Sequence, residues 1–244
     1  MILSLKNRLL LAITVCTLLV ALTFWAAGWV SRSHQFEQRS ETNIAYTQAL
    51  WSAVSSTRFD TMETETQGLT RNREALAALK DGSAQALHEA AMPTFNRASA
   101  SGSIDGMMIT DLNGSELMAA GRHATSALPQ TVAKEQKVRR ELLVDSEGRP
   151  ALALAFPLYN RGKAKGVGVY LIGLDRVAEQ IADNANAVVS VVDAEGGIVS
   201  STDPEIAGRI AWAGLVKGRA HWRTIEADDA HYAATLIPLT GFDG

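Results

Sequence analysis

The sequence predicts an α+β fold in which an N-terminal transmembrane helix leads through a long stalk helix into two tandem antiparallel-sheet modules. Three observations predict this fold: an uncharged apolar run, a polar helical stretch without proline, and a strand-turn-strand series that begins again. The expected segments are a cytoplasmic N-terminus (1–8), the transmembrane helix (9–30), the stalk helix (31–82), a membrane-distal module (83–174) and a membrane-proximal module (175–244).

Residues 9–30 form an apolar run of 22 residues without a charge. At about 1.5 Å per residue, a helix of this length covers roughly 33 Å, enough to cross the core of a bilayer. Signal peptides have shorter apolar cores, and Trp25 and Trp29 lie at the outer end of the run, as interfacial anchors do. We therefore expect a retained anchor; the alternative is a signal peptide cleaved near Ala26-Ala27-Gly28.

Charge and cysteine usage constrain the rest of the chain. Lys6 and Arg8 precede the apolar run and favour a cytoplasmic N-terminus. They are the only charged residues among the first 30, so the remainder carries 21 basic and 26 acidic residues, a net charge near −5. This charge argues against nucleic-acid binding. The single cysteine, Cys16, lies inside the apolar run, so the remainder has no thiol and suits an oxidising compartment.

Residues 33–80 contain no proline and only one glycine, Gly68, which predicts a long helix continuing from the membrane. Asp81-Gly82 would end this helix, and Ser83 would cap a shorter one before Pro93. Such a helix can pack on its own domain, form the seam of a homodimer, or do both. Both roles are indicated by a coiled-coil-like apolar stripe with spacings of seven, eleven, seven and seven residues. Its members are Ile44, Trp51, Met62, Leu69 and Leu76.

From about Ser101 the pattern changes to short apolar strands separated by Asp-x-x-Gly turns. One hairpin turns at Asp111-Leu112-Asn113-Gly114, a second at Asp145-Ser146-Glu147-Gly148, and residues 166–174 indicate a further strand. These segments predict five strands in an antiparallel meander. Asp111, Asp145 and Asp193 open such turns, where a short carboxylate can accept backbone N–H groups, so we interpret them as structural residues.

The strand series begins again after a predicted helix over residues 175–186. The turn Asp193-Ala194-Glu195-Gly196 repeats the first turn 82 positions after Asp111. Leu236-Ile237-Pro238-Leu239 repeats Ala155-Phe156-Pro157-Leu158 with an offset of 81, and two landmarks with nearly one offset indicate a duplicated module. The second copy lacks a counterpart of the last strand. We expect the natural protein to continue with that strand, a second membrane helix and an effector domain.

An N-terminal anchor, a rising helix and tandem strand-turn-strand modules together resemble the double Cache sensor domains of bacterial transmembrane receptors, of the methyl-accepting chemotaxis protein type. The resemblance covers about residues 33–244. It implies that each module is a PAS-like antiparallel sheet flanked by helices, with a small molecule in the membrane-distal module. Three segments carry it: residues 107–114 (MMITDLNG), 153–159 (ALAFPLY) and 189–196 (VSVVDAEG).

The function implied is the extracytoplasmic ligand-sensing region of a transmembrane signal-transducing receptor. Such a protein lies in the bacterial inner membrane, with its sensor domain in the periplasm and an unidentified small molecule as ligand. A homodimeric chemotaxis receptor is the leading interpretation, and the sensor of a membrane diguanylate cyclase or histidine kinase is the alternative. An anchored module that binds a partner protein, such as a periplasmic binding protein, is a third reading.

Amino-acid-binding members of the family carry an Arg followed closely by a Trp-Tyr pair and later an Asp. The corresponding residues 121–141 contain Arg122, Arg139 and Arg140 but neither Trp nor Tyr, so this chain departs from that motif. An Arg near a cavity can hold a carboxylate bidentately, and a Tyr offers an apolar wall with one polar group. The alternative is that the Met and Tyr side chains belong to the core and the Arg side chains are solvated. The candidate ligand-binding residues are Met108, Thr110, Arg122, Arg139, Tyr159 and Tyr170.

The sequence predicts no catalytic residues, no cofactor and no metal site. Gly166-Val167-Gly168 lacks the third glycine, at Leu171, and the following helix that a dinucleotide fingerprint requires. The five histidines form no pair at helical spacing and have no cysteine partner. The serines lack a nucleophile elbow. We therefore expect no enzyme activity in these residues, although an output domain beyond them could be enzymatic.

Overall fold

The computed structural model describes residues 39–216, 218–227 and 230–239. The predicted transmembrane helix, at residues 9–30, lies outside them. Among the described residues, no helix combines the length and the apolar character needed to cross a membrane. The α+β class is confirmed, and the described strands form one five-stranded antiparallel sheet and two separate hairpins.

Three helices cover one side of the first module: α1 over residues 39–70, α2 (Arg73–Asp81) and α3 (Ala84–Ala100). The single helix predicted to continue to residue 82 is therefore divided. The division occurs at Asn72, whose side chain accepts hydrogen bonds from the N–H groups of Glu74 and Ala75 at 3.1 and 3.0 Å and so caps α2. The Asn72 amide also donates to the Ala90 carbonyl at 2.8 Å, which ties the break to α3.

The predicted caps of α2 and α3 are confirmed, but the predicted end of α3 is wrong. Gly82 adopts φ 70° after α2, and the Ser83 hydroxyl accepts the Ala86 N–H at 3.4 Å. α3 continues through Pro93 to Ala100. Pro93 deprives the Glu89 carbonyl of its helical donor, and both residues are exposed.

The sheet of the first module has the spatial order β2-β1-β5-β4-β3. The strands are β1 Gly106–Thr110, β2 Glu116–Gly121, β3 Arg139–Val144, β4 Pro150–Asn160 and β5 Lys163–Gly173. The predicted five strands and their turns are confirmed, but the sheet is not a meander. β5 pairs with both β4 and β1 and thereby joins the two hairpins into one sheet.

Helices cover both faces of this sheet, and the strand alternation divides the side chains between two cores. One face packs on α1, α2 and α3 through Leu152, Leu154, Phe156, Tyr170 and Ile172. The other face packs on α4 (Leu128–Glu135) through Met108, Val132, Ala151, Ala153, Ala155, Val167, Val169 and Leu171. We call the second face the α4 face.

The apolar stripe predicted on the stalk helix packs against the first core. Met62 and Leu69 are fully buried there, and Trp51 and Leu76 pack partly against the same cluster. The stripe therefore serves the helix's own domain, which was one of the two predicted roles. Its use in a homodimer stays a prediction.

The second module follows α5 (Leu174–Ala185). Its elements are β6 (Ser190–Val192), β7 (Ile198–Ser201), α6 (Pro204–Gly208), a 3-10 turn (Trp212–Gly214), β8 (His221–Ala227) and β9 (Ala230–Leu236). β7 and β8 begin 82 positions after β2 and β3, the same offset that the sequence predicts. In the described chain, β6–β7 and β8–β9 remain two separate sheets.

Candidate functional site

Three turns of the two modules have one geometry. In each, an aspartate Oδ1 accepts the N–H groups two and four residues later, at 2.6 to 3.1 Å. The glycine three residues after the aspartate has φ between 79 and 89°. The hydrogen bond from the Ser115 N–H contributes most to lowering the pKa of Asp111. The structural interpretation of Asp111, Asp145 and Asp193 is thus confirmed.

The α4 face brings several candidate ligand-binding residues together. Arg139 lies opposite Ala155, Ala155 opposite Val169, and Val169 opposite Met108, so Arg139 and Met108 share one row across four strands. Thr110 follows Met108 by two residues on the same strand and therefore faces the same side. These three candidates therefore lie on the α4 face of the sheet.

Thr110 is the unusual member of this face. The residue is 1% exposed, and its hydroxyl oxygen has no hydrogen-bond partner in the described part of the chain. A buried hydroxyl without a partner costs on the order of 1–3 kcal/mol, so native proteins rarely keep one without a reason. The face around it is built from apolar and mostly small side chains, including three alanines of β4.

Arg139 and Tyr159 place polar groups at the C-terminal end of α4. The Arg139 guanidinium lies 2.7 Å (Nε) and 2.6 Å (Nη2) from Glu135 Oε2, on the last residue of α4. The Tyr159 hydroxyl donates to the Gln136 carbonyl at 3.4 Å, and 42% of the residue is exposed. The buried Thr110 hydroxyl and this exposed polar rim are thus separate features of one face.

Tyr170 lies on the opposite face of the sheet. It is fully buried, contacts Phe156 edge-to-face with ring centroids 5.0 Å apart, and donates its hydroxyl to the Glu65 carbonyl of α1 at 3.3 Å. Burial raises the pKa of the Tyr170 phenol. Arg140 faces the same side and pairs with Glu63 of α1 at 2.8 Å. The structure therefore separates Tyr170 from Arg139.

Arg122 lies apart from the other candidates. It follows the end of β2 and pairs with Asp145 at 2.8 Å and with Asp175 at 3.4 Å. The alanines of β4 and Val132 also belong to the α4 face but were not among the predicted site residues. The alternation of alanine with larger residues in Ala151-Leu152-Ala153-Leu154 was the available signal, because it distinguishes the two sides of a buried strand.

The second module contains a cleft of about 730 Å³. It lies between the two hairpins, and residues of α1 and α5 line its remaining side. Consecutive residues of β6 and of β9 line it, so the edges of both strands face the cleft rather than only their alternate side chains. The cleft is the gap between the unjoined hairpins, and it is distinct from the α4 face. Within the described ranges, no group of three or more His, Cys, Asp or Glu residues could hold a metal ion.

No protein-family model matches the chain, and no curated protein matches it. Solved sensor domains do. The ligand-binding domain of Campylobacter jejuni chemoreceptor Tlp3 in complex with L-norvaline has 14% identity and a TM-score of 0.42, covering 78% of this chain and 84% of that one. The sensor domain of the Vibrio cholerae histidine kinase DctB has 13% identity and a TM-score of 0.46, covering 68% and 69%. A domain of a sensory box/GGDEF family protein from Vibrio parahaemolyticus has 14% identity and a TM-score of 0.45, covering 79% and 92%.

Proposed function

We propose that this chain is the extracytoplasmic ligand-sensing region of a transmembrane signal-transducing receptor, and that a small molecule binds between the first sheet and α4. The observation that carries the proposal is the buried hydroxyl of Thr110 on the α4 face, which has no partner in the described chain. A polar group of a bound molecule would supply that partner.

α4 is suited to make room for such a molecule. It has eight residues, and its N-cap position is Ala127, which supplies no side-chain hydrogen bond. Helices this short depend on tertiary packing rather than on their own propensity. α4 packs on apolar side chains of the sheet, so its displacement would uncover a mainly apolar surface on the same face as Thr110. The expected ligand is therefore small, mainly apolar, and carries one polar group.

Arg139 would select for charge at the mouth of the site. Its guanidinium is occupied by Glu135 of α4, so an anionic ligand would compete with that carboxylate and thereby loosen the end of the helix. Binding would then favour the displaced arrangement of α4 through differential affinity for two states.

The membrane anchor, the periplasmic location and the homodimer belong to the same proposal. They are supported by the uncharged run at residues 9–30, by the absence of cysteine after it, and by the resemblance to double Cache receptors. We propose that the sensing region belongs to a chemotaxis receptor. A diguanylate cyclase or histidine kinase output is the alternative.

The test is a thermal-shift screen of the full 244-residue chain in detergent against organic acids, amino acids, amines and purines. A ligand at 100 times its Kd stabilises the native state by ~2.7 kcal/mol, which is a visible shift in Tm. Thr110→Val should remove the shift. Thr94→Val is the matched control, because the buried Thr94 hydroxyl already donates to the Gly68 carbonyl at 3.4 Å and lies on α3, away from α4.

A shift that persists unchanged in both Thr110→Val and Arg139→Gln would overturn the proposed site. A well-folded chain with no response across the library would instead favour an anchored module that binds a partner protein.

A further inference from the structure

One end of the first module carries a charged cluster that joins three separate parts of the chain. Arg122 follows β2, Asp145 opens the turn between β3 and β4, and Asp175 lies in the first turn of α5. Arg122 Nη1 lies 2.8 Å from Asp145 Oδ2, and Arg122 Nη2 lies 3.4 Å from Asp175 Oδ1. We call these three residues the clasp.

The inner pair of the clasp is buried, with side-chain exposures of 10% for Arg122 and 1% for Asp145. Asp145 uses Oδ1 for the backbone of its own turn, which leaves Oδ2 for Arg122 and for Arg149 at 3.2 Å. Asp111 and Asp193 form the same turn, yet Asp111 is half-buried and Asp193 is exposed. The burial of Asp145 against Arg122 is therefore additional to what the turn requires.

The clasp reaches the start of α5 through close packing. The Gly173 N–H donates to Asp105 Oδ2 at 2.9 Å, and Arg176 Nε lies 2.8 Å from Asp105 Oδ1. A Cβ atom at Gly173 would overlap Asp175 Oδ1 and lie 2.5 Å from Arg122 Nη2. The charged groups thus pack directly on the backbone where the first module passes into α5.

The clasp also reaches α4. Arg122 is the first residue of the segment 122–127 that leads from β2 into α4. The carbonyl of His123, in the same segment, accepts the Ser146 N–H at 3.0 Å. This segment therefore connects the N-terminus of α4 to the β3–β4 turn and, through Arg122, to α5.

We propose that the clasp transmits a displacement of α4 to α5, and through α5 to the second module. This inference rests on the proposed ligand site, because that site makes α4 the element that a bound molecule moves. Coupling between sites requires an element whose arrangement both of them bias. Arg122 is such an element, because its backbone belongs to the α4 segment and its side chain holds Asp175.

A double-mutant cycle on the full chain, without any ligand, tests the coupling. Val132→Ala removes a fully buried contact under α4 and loosens that helix. Asp175→Asn removes the α5 arm of the clasp and leaves the buried pair intact. Asp183→Asn is the matched control, because Asp183 is an exposed carboxylate later in α5. The readout is hydrogen exchange of the α5 and β6 amides, followed by mass spectrometry.

Val132→Ala should accelerate exchange in α5 about two- to fivefold in the wild-type and Asp183→Asn backgrounds. In the Asp175→Asn background it should add no further acceleration. Val132→Thr, which keeps the volume, replaces Val132→Ala if the latter does not fold.

Equal acceleration in all three backgrounds would overturn the proposal, as would faster exchange in α4 with none in α5. Because the cycle uses no ligand, a failed ligand screen would not alter its result. If the effects of Val132→Ala and Asp175→Asn on exchange were additive, the coupling would be excluded but the proposed ligand site would not be.

Discussion

In the first module the β1–β2 and β3–β4 hairpins lie on either side of β5, whereas in the second module the β6–β7 and β8–β9 hairpins lie on either side of a cleft of about 730 Å³. The hairpins themselves are alike, because each depends on turn chemistry within a few residues. A sheet depends on a strand that pairs with both. Among the described residues, the second module thus repeats the hairpins of the first module but has no strand that pairs with both of them.

The clasp is a second difference between the modules. The positions 82 residues after Arg122 and Asp145 are Pro204 and Ala227, so the sequence does not duplicate the charged pair. The clasp therefore belongs to the first module alone, at the point where this module leads into α5. Its effect on stability can be compared with that of an ion pair in the second module.

The largest expected difference between the two modules is in the protection of their backbone amides from hydrogen exchange. The β1 amides lie in a strand paired on both sides, whereas in the described chain β6 is paired only with β7. Exchange from the central strands should require opening of the whole module and be on the order of a thousandfold slower than exchange from β6. Residue-resolved hydrogen exchange of the full chain measures this. Equal protection of β1 and β6 would mean that the second hairpins are joined in solution.

Removing an ion-paired arginine should destabilise the first module more than the second, as Arg122 and Arg209 show. Arg122→Ala leaves a buried carboxylate without its charged partner and should cost about 3–5 kcal/mol of unfolding free energy. Arg209→Ala, on a side chain that is 40% exposed beside Glu205, should cost less than about 1 kcal/mol. Urea unfolding of both variants measures the difference. Similar small losses would show that the Arg122–Asp145 pair contributes little to stability.

The two modules should also differ in how the stability of their aspartate turns depends on pH. Burial alone would raise the pKa of Asp145, but hydrogen bonds from the Arg149 and Glu147 backbone, the Arg149 side chain and the charge of Arg122 together lower it. A lowered folded-state pKa means that the carboxylate stabilises the protein above its unfolded pKa of about 3.9, and that this contribution is lost as pH falls through the folded value.

Asp145→Asn should therefore cost about 1–3 kcal/mol at pH 7 and progressively less below about pH 4. Asp193→Asn, in the exposed turn of the second module, should cost less than about 1 kcal/mol at pH 7. Urea titrations from pH 7 to pH 3 give both values. A loss at Asp145 that stays constant down to pH 3 would contradict the assignment of its charge to the clasp.

The smallest expected change in unfolding free energy comes from removing the Thr110 hydroxyl. An unpartnered hydroxyl destabilises a protein only where it is fully buried, as Thr110 is in the first module. Thr110→Val should raise the unfolding free energy of the ligand-free chain by about 1 kcal/mol, because it removes that hydroxyl. Thr94→Val should lower it by up to about 1 kcal/mol, since the Thr94 hydroxyl is bonded to Gly68. Thermal unfolding of the two variants gives the signs, and a loss in Thr110→Val would indicate a partner for its hydroxyl.

The sequence was sufficient for the elements whose causes are local. The three aspartate turns, the glycine after α2 and the cap at Ser83 were all predicted, because each depends on the conformational preference of one residue and its nearest neighbours. The candidate ligand-binding residues do not all lie together in the structure, and their role in binding stays a prediction. Residue type indicated that each could line a pocket, but not that Tyr170 and Arg139 would face opposite sides of the sheet.

What the sequence by itself determined about this protein is the α+β class, the hairpins and their repetition at an offset of 82 residues. The tertiary structure alone decided that the stalk helix divides at Asn72, that β5 lies between the hairpins, and that Arg122 is held in the clasp. The physical reason is range. Caps and turns are set by neighbours within four residues, whereas strand order and burial depend on groups far apart in the chain.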